Sequence, residues 1–191
     1  HLVAQDALAA PAQLLVRLHP NHFWENPLYS GEREQIRKLG QELPHVHVVE
    51  PVPLGGSLGY YSGEDMPEKS SMMAHSDVFT TVYSTMVVEA AVHGAPIVSV
   101  CLDTADGWNT FRKFSLPLSE IGNWPTHQRF REARAGRVAL DEGQLRDALN
   151  FYLQNPSADL DQRQAFIRRE CTFMDGGAGR RTGEFLAGLV A

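Results

Sequence analysis

The segment Ser76-Asp77-Val78-Phe79-Thr80-Thr81-Val82-Tyr83-Ser84-Thr85-Met86-Val87-Val88-Glu89-Ala90-Ala91, continued by Gly94-Ala95-Pro96-Ile97-Val98-Ser99-Val100, restricts the folds open to this chain. It reads as a strand, a sharp polar turn, a short helix, a glycine stop and a second strand, which is a βαβ unit. In open parallel sheets ligands bind outside the carboxyl ends of the strands. The Tyr83-Ser84-Thr85 turn therefore falls where such a sheet does its chemistry.

Strands are also expected at Leu14 to Leu18, Val46 to Val49 and Gly136 to Leu140. The pattern predicts helices over Gly31 to Leu43 and Pro67 to Ala74, and an amphipathic helix from Asp141 that stops at Asn155-Pro156. Asp6 to Ala12 reads as the tail of a helix, and Asp159 to Val190 as helices broken at Asp175-Gly176-Gly177. A Gly-rich loop is expected at Gly55 to Gly59. A longer one, from Asp103 to Pro125, is rich in Trp, Phe, Gly and Pro, and its length favours function over accident. No internal repeat or low-complexity segment is present.

Strands separated by helices imply a doubly wound, Rossmann-like parallel α/β sheet. The usual order has its first strand at the centre. This chain opens on a helix tail instead, and removing the central strand leaves a gap of about 9.6 Å, two strand spacings, with unpaired inner edges. The expectation is a fragment lacking its first strand and a preceding domain. Residues 1–155 form the nucleotide-binding domain, partial at its N-terminus. Residues 156–191 form helices that pack on it or on the absent domain.

A formal charge of −6 over 191 residues opposes a nucleic-acid groove, which needs a basic face. Two cysteines, Cys101 and Cys171, are too few for a disulfide scaffold, which favours a reducing, cytoplasmic setting. No apolar run approaches the roughly 20 residues of a membrane-spanning helix. Association with the inner face of a membrane is left open.

Ser84, Thr85 and Glu89 form the first candidate site. If Ser84 caps the helix, free amides of the first turn face the crevice and suit a phosphate. Glu89 lies on the Thr85 face one turn deeper, where a carboxylate can accept from a ribose diol. The plain alternative is a cap and a solvent-facing acid. Because the helix is apolar nearly all round, a lone acid on it needs a partner. His19 leaves the first strand at the same edge, suited to a phosphate oxygen or to protonating a leaving group, unless the Pro20-Asn21 turn merely fixes it. Arg17 shares its strand face.

Weaker candidates are His45 and His47, at spacing two but without a third metal ligand, and His75 and His93, read as packing or surface residues. Trp108, Phe111, Trp124 and His127 wall a base pocket or plug the core. Asp175-Gly176-Gly177-Ala178-Gly179-Arg180-Arg181 starts an anion-reaching helix or is a simple break, and it lacks the ending of a P-loop.

In order, Arg17-Leu18-His19-Pro20, Ser76-Asp77 with Ser84-Thr85 and Glu89-Ala90, Gly94-Ala95-Pro96, and Asp175-Gly176 with Arg180 resemble the C-terminal domain of GT-B glycosyltransferases. The likeness spans most of the chain and is nearest to bacterial surface-polysaccharide and capsule enzymes. These include the CDP-glycerol glycerophosphotransferase-like and His-Pro sialyl- and Kdo-transferase groups. The resemblance implies a nucleotide-activated sugar donor of CMP, CDP or UDP type, with His19, Ser84 and Thr85 on its phosphates and Glu89 on its ribose. Arg17 adds positive charge. No metal or further cofactor is expected, since no DxD-type pair is placed to hold one. The saccharide or lipid-linked acceptor and the catalytic base belong to an N-terminal domain this chain lacks, so little activity is expected of it alone. A non-hydrolysing UDP-sugar 2-epimerase domain and a non-catalytic nucleotide-binding or scaffold module are the alternatives.

Overall fold

The computed structural model describes residues 1–23, 27–51, 65–82, 84–102 and 123–189. The expected Gly55 to Gly59 loop, Tyr83, Trp108, Phe111 and nearly all of the Asp103 to Pro125 loop lie outside these. The described elements are β1 (Leu14–Arg17), a 3₁₀ turn (Pro20–Phe23), α1 (Pro27–Glu42), β2 (Val46–Val49), α2 (Asp65–Ala74) and β3 (Phe79–Thr81). They continue with α3 (Met86–Val92), β4 (Ile97–Val100), α4 (Pro125–Glu132), β5 (Arg137–Ala139), α5 (Glu142–Gln154), α6 (Leu160–Glu170) and α7 (Ala178–Gly188).

Among the described residues every strand pairing is parallel, but the strands form two sheets rather than one. In the first, Leu14 to Arg17 of β1 register with Val46 to Val49 of β2. The second has the order β3-β4-β5, with Phe79 opposite Ile97 and Val98 opposite Arg137. Parallel neighbours need crossover connections, and a helix lies between each pair.

Side-chain alternation assigns the helices to faces. Val48 meets α1, since a Cβ at Gly40 would lie 2.6 Å from Val48 Cγ2, and its register partner Val16 shares that face. Arg17, one residue on, lies on the opposite face and meets α2. In the second sheet Ile97 is buried with Met73 of α2, Val87 and Ala90 of α3, Phe130 of α4 and Phe166 of α6. Val98 and Ala139 face the other way, onto Ala148 and Tyr152 of α5. Helices thus cover both faces, as in a doubly wound α/β fold.

Local signals explain the boundaries. Asp141 caps α5, accepting from the Gln144 amide at 2.8 Å, and Gly94 ends α3 in the left-handed conformation at φ 73°. Two expectations are corrected. Asp6 to Ala12 is not a helix tail: residues 2–6 form turns, Asp6 has φ 50°, and Pro11 disfavours helical backbone at Ala10. The Ala9 amide instead donates to Asn150 Oδ1 on α5 at 2.7 Å. Pro125 opens α4 rather than closing a loop, which suits a first-turn residue whose missing N–H goes unused.

Of the two helices from the C-terminal break region, α6 belongs to the core. Its Phe166 is fully buried and meets Phe130 edge-on at 5.7 Å between ring centroids. No residue of α7 is buried. The closest backbone approach is at Gly136, where a Cβ would stand 2.5 Å from both the Ile97 carbonyl oxygen and Phe130 Cζ. Gly136→Ala should therefore destabilise the protein by about 1–3 kcal/mol through overpacking. Urea unfolding checks this, and a loss under about 0.5 kcal/mol would mean the core yields there.

Candidate functional site

The polar turns that follow the carboxyl ends of β1 and β3, strands of two separate sheets, carry the candidate residues. The Leu18 amide extends β1 by one more bond to Val49 O at 3.0 Å, and the chain then turns into Pro20–Phe23. The turn is closed twice: the His22 amide donates to His19 O at 2.9 Å, and the His19 amide donates to His22 Nδ1 at 3.1 Å. Nδ1 of His22 is thus an acceptor, leaving its Nε2 to face Glu32 at 3.5 Å. The His19 side chain is exposed at the surface. Partial loss of solvent, and secondarily the neighbouring His22, hold its pKa below the ordinary histidine value.

At the second turn, Ser84 Oγ accepts from the Met86 amide at 3.2 Å and Ser84 O accepts from Val87. Ser84 thus holds the first amide of α3 from the residue before the N-cap, Thr85. Its hydroxyl proton remains to be donated. Thr85 makes no capping bond and its side chain is exposed.

Arg17 and Glu89 are both tied to α2. The Arg17 guanidinium pairs with the buried Asp65 and, at 2.7 Å, with Glu68. Glu89 Oε2 lies 2.8 Å from Lys69 Nζ; the Glu89 side chain is 41% exposed and that of Lys69 only 11%. Beside this pair Ser70 Oγ lies 3.0 Å from His93 Nε2. A groove of about 160 Å³ runs along this seam between α2 and α3, lined by Met66, Lys69, Ser70, Met73, Glu89 and His93. The acid on the apolar helix has the partner it requires, and that partner is a lysine of the fold. His93 packs in the same seam.

The other candidates separate. His45 stands before β2 in the left-handed conformation at φ 62°, while His47 is an exposed β2 residue. Among the described residues no group of three His, Cys, Asp or Glu side chains is arranged to hold a metal ion. His127 is buried on α4 and Trp124 is 55% exposed just before it. Asp175 closes on its own helix start, accepting from both terminal nitrogens of Arg181 at 2.9 Å and from the Gly177 amide at 3.0 Å. These bonds hold its carboxyl below the usual range. Arg180 pairs with Glu184 one turn on.

Sequence reading passed over Asp65 and Lys69. Both carry a local signal, an acid in the first turn of a helix and a cation one turn later, yet their partners lie 48 residues upstream and 20 downstream, beyond any local pattern. Ser99 was also passed over. It is fully buried on β4, in register with Thr81, and its hydroxyl has no hydrogen-bond partner among the described residues.

Comparison of the chain with models of known protein families, with curated proteins and with solved structures found no match.

The α2 tie is open to direct measurement. Asp65→Ala should cost about 2–3 kcal/mol, below the 3–5 of a buried pair wholly broken, because Glu68 still partners Arg17. Combining Arg17→Met with Asp65→Leu should recover most of that loss. Chemical denaturation of the two variants decides the matter; an unchanged stability in Asp65→Ala would show that Arg17 is not anchored there.

Proposed function

We propose that this chain is the donor-nucleotide-binding part of a GT-B glycosyltransferase of cell-surface polysaccharide synthesis, holding a CMP-, CDP- or UDP-activated sugar. One observation carries the reading. His19 and the Ser84-Thr85 pair follow the carboxyl ends of β1 and β3 in a parallel α/β fold, the edge where open sheets bind ligands.

In this reading His19 and the hydroxyls of Ser84 and Thr85 donate to the donor phosphates. Its lowered pKa favours the neutral imidazole, which carries one ring N–H. A bound phosphate raises that pKa, so binding draws in a proton and the imidazolium neutralises the leaving group. The half-exposed Glu89 takes the ribose hydroxyls by exchanging Lys69 for them. Arg17, held by two carboxylates, contributes by tying β1 to α2 rather than as a free cation. The acceptor and its activating base come from outside these residues.

Calorimetry with CMP, CDP and UDP tests the proposal. His19→Ala should weaken the preferred nucleotide by about tenfold, the worth of a charge-assisted hydrogen bond, and Glu89→Ala should weaken it too. If only His19→Ala does so, Glu89 serves the fold alone; if none of the three nucleotides binds, the reading falls. The sign of the pH effect follows from the direction of the His19 shift. Because the free protein holds this pKa low and the complex raises it, affinity should increase as pH falls between the two values, with net proton uptake seen by calorimetry in buffers of different ionisation heat. Sugar transfer by these 191 residues alone would overturn the placement of the acceptor site elsewhere.

A further inference from the structure

In the first sheet β1, and in the second β3, has one edge without a strand partner among the described residues. On β1 the Leu14 amide donates to His45 O at 2.8 Å and the Leu18 amide to Val49 O. Backbone groups of alternate residues point to opposite sides of a strand, so those of Leu15 and Arg17 point away from β2. On β3 the Phe79 amide donates to Pro96 O at 2.8 Å, which sends the Thr80 groups away from β4. Among the described residues no strand pairs with either of these edges.

Helix α2 spans the junction. Its Asp65 and Glu68 hold Arg17 of β1, while Met73 enters the core beneath which Phe79 of β3 packs. Arg17, at the carboxyl end of β1, meets Asp65, Glu68 and Met72 of α2, and β3 follows the end of α2 after a short turn. Burial shows what the junction lacks. In β4, paired on both sides, Ile97, Val98 and Ser99 are all 0% exposed. Leu14 and Leu15 of β1 are 37% and 50% exposed, although a consecutive apolar run such as Leu14-Leu15-Val16 is the composition of a strand buried on both faces. Leu15 shares the α2 face with Arg17, and Leu14 shares the α1 face with Val16.

We propose that the free edges of β1 and β3 form a slot for one further parallel strand, and that its occupant is an extended polypeptide segment of Val, Ile and Leu character on both faces. It hydrogen-bonds to Leu15 and Arg17 on one side and to Thr80 on the other. Its side chains cover Leu15 beneath α2 and Leu14 on the α1 face. The strand joins the two sheets into one of the order β2-β1-strand-β3-β4-β5. This inference stands apart from the nucleotide reading.

The test uses the full chain and a fluorescein-labelled peptide, Lys-Lys-Gly-Val-Ile-Val-Val-Gly-Lys-Lys, followed by anisotropy. The expected result is saturable one-to-one binding that a proline in place of the central isoleucine abolishes. Amide exchange should slow at Leu15, Arg17 and Thr80 in the complex. Leu15→Lys, at a half-exposed site, should weaken binding at least about tenfold by placing a charge on the edge. Thr80→Pro provides a second variant, removing an amide that β4 does not use. Peptide binding is measured without nucleotide, which separates failure of the slot from failure of the nucleotide site. No saturable binding, or binding indifferent to both edge variants, overturns the proposal. So does a dimer that Leu15→Lys dissociates in ultracentrifugation, because a second copy would then be the occupant.

Discussion

The placement of the candidate site depends on the charged seams of α2. Asp65 and Glu68 hold Arg17 of the first sheet, and Lys69 holds Glu89 of the helix that follows β3. With Met73 in the core of the second sheet, one ten-residue helix joins both halves of the molecule. Taking such charges out of water offsets much of their attraction, so their value lies more in fixing position than in net stability. Moving α2 would move the carboxyl end of β1, and His19 with it, relative to the Ser84-Thr85 turn.

This dependence explains which features the sequence disclosed. The five strands among the described residues and the Ser84 hydroxyl at the start of α3 were legible because each is written in adjacent residues: apolar runs bounded by Pro or Gly, and a hydroxyl just before a helix. The parallel pairing followed from the intervening helices. The partners of Arg17 and Glu89 were not legible, because alternation gives a strand face but not the helix that covers it. Starting α2 at Pro67 also left Asp65 outside the helix it opens. At Pro125 the same residue type that ends one element begins another, so the letter alone could not choose. Asp6 to Ala12 failed for a different reason: its apolar spacing suits a helix, but a left-handed Asp6 and Pro11 prevent one.

The electrostatics narrow how an anion can be held here. The chain carries a formal charge of −6, and Arg17, the cation nearest His19 in sequence, already faces two carboxylates. Attraction from a fixed positive patch is therefore weak at this edge. Hydroxyl donors, and a histidine that gains its proton on binding, supply charge only when the ligand arrives, and so avoid a standing unpaired cation in the free protein.

The slot would open at the carboxyl ends of β1 and β3, which the candidate residues follow. In doubly wound sheets the ligand crevice opens where the strand order reverses, and in the order given above that point lies between the added strand and β3. A strand entering parallel to β1 would end between His19 and the Ser84-Thr85 turn, and the backbone following it would face whatever those groups hold. Donors from that turn would then supplement the few side chains already present. The same addition would bury Leu14 and Leu15, whose exposure is otherwise at odds with their composition. Completion of the hydrophobic sheet and completion of the polar crevice are thus coupled, since the segment that satisfies the one supplies backbone to the other.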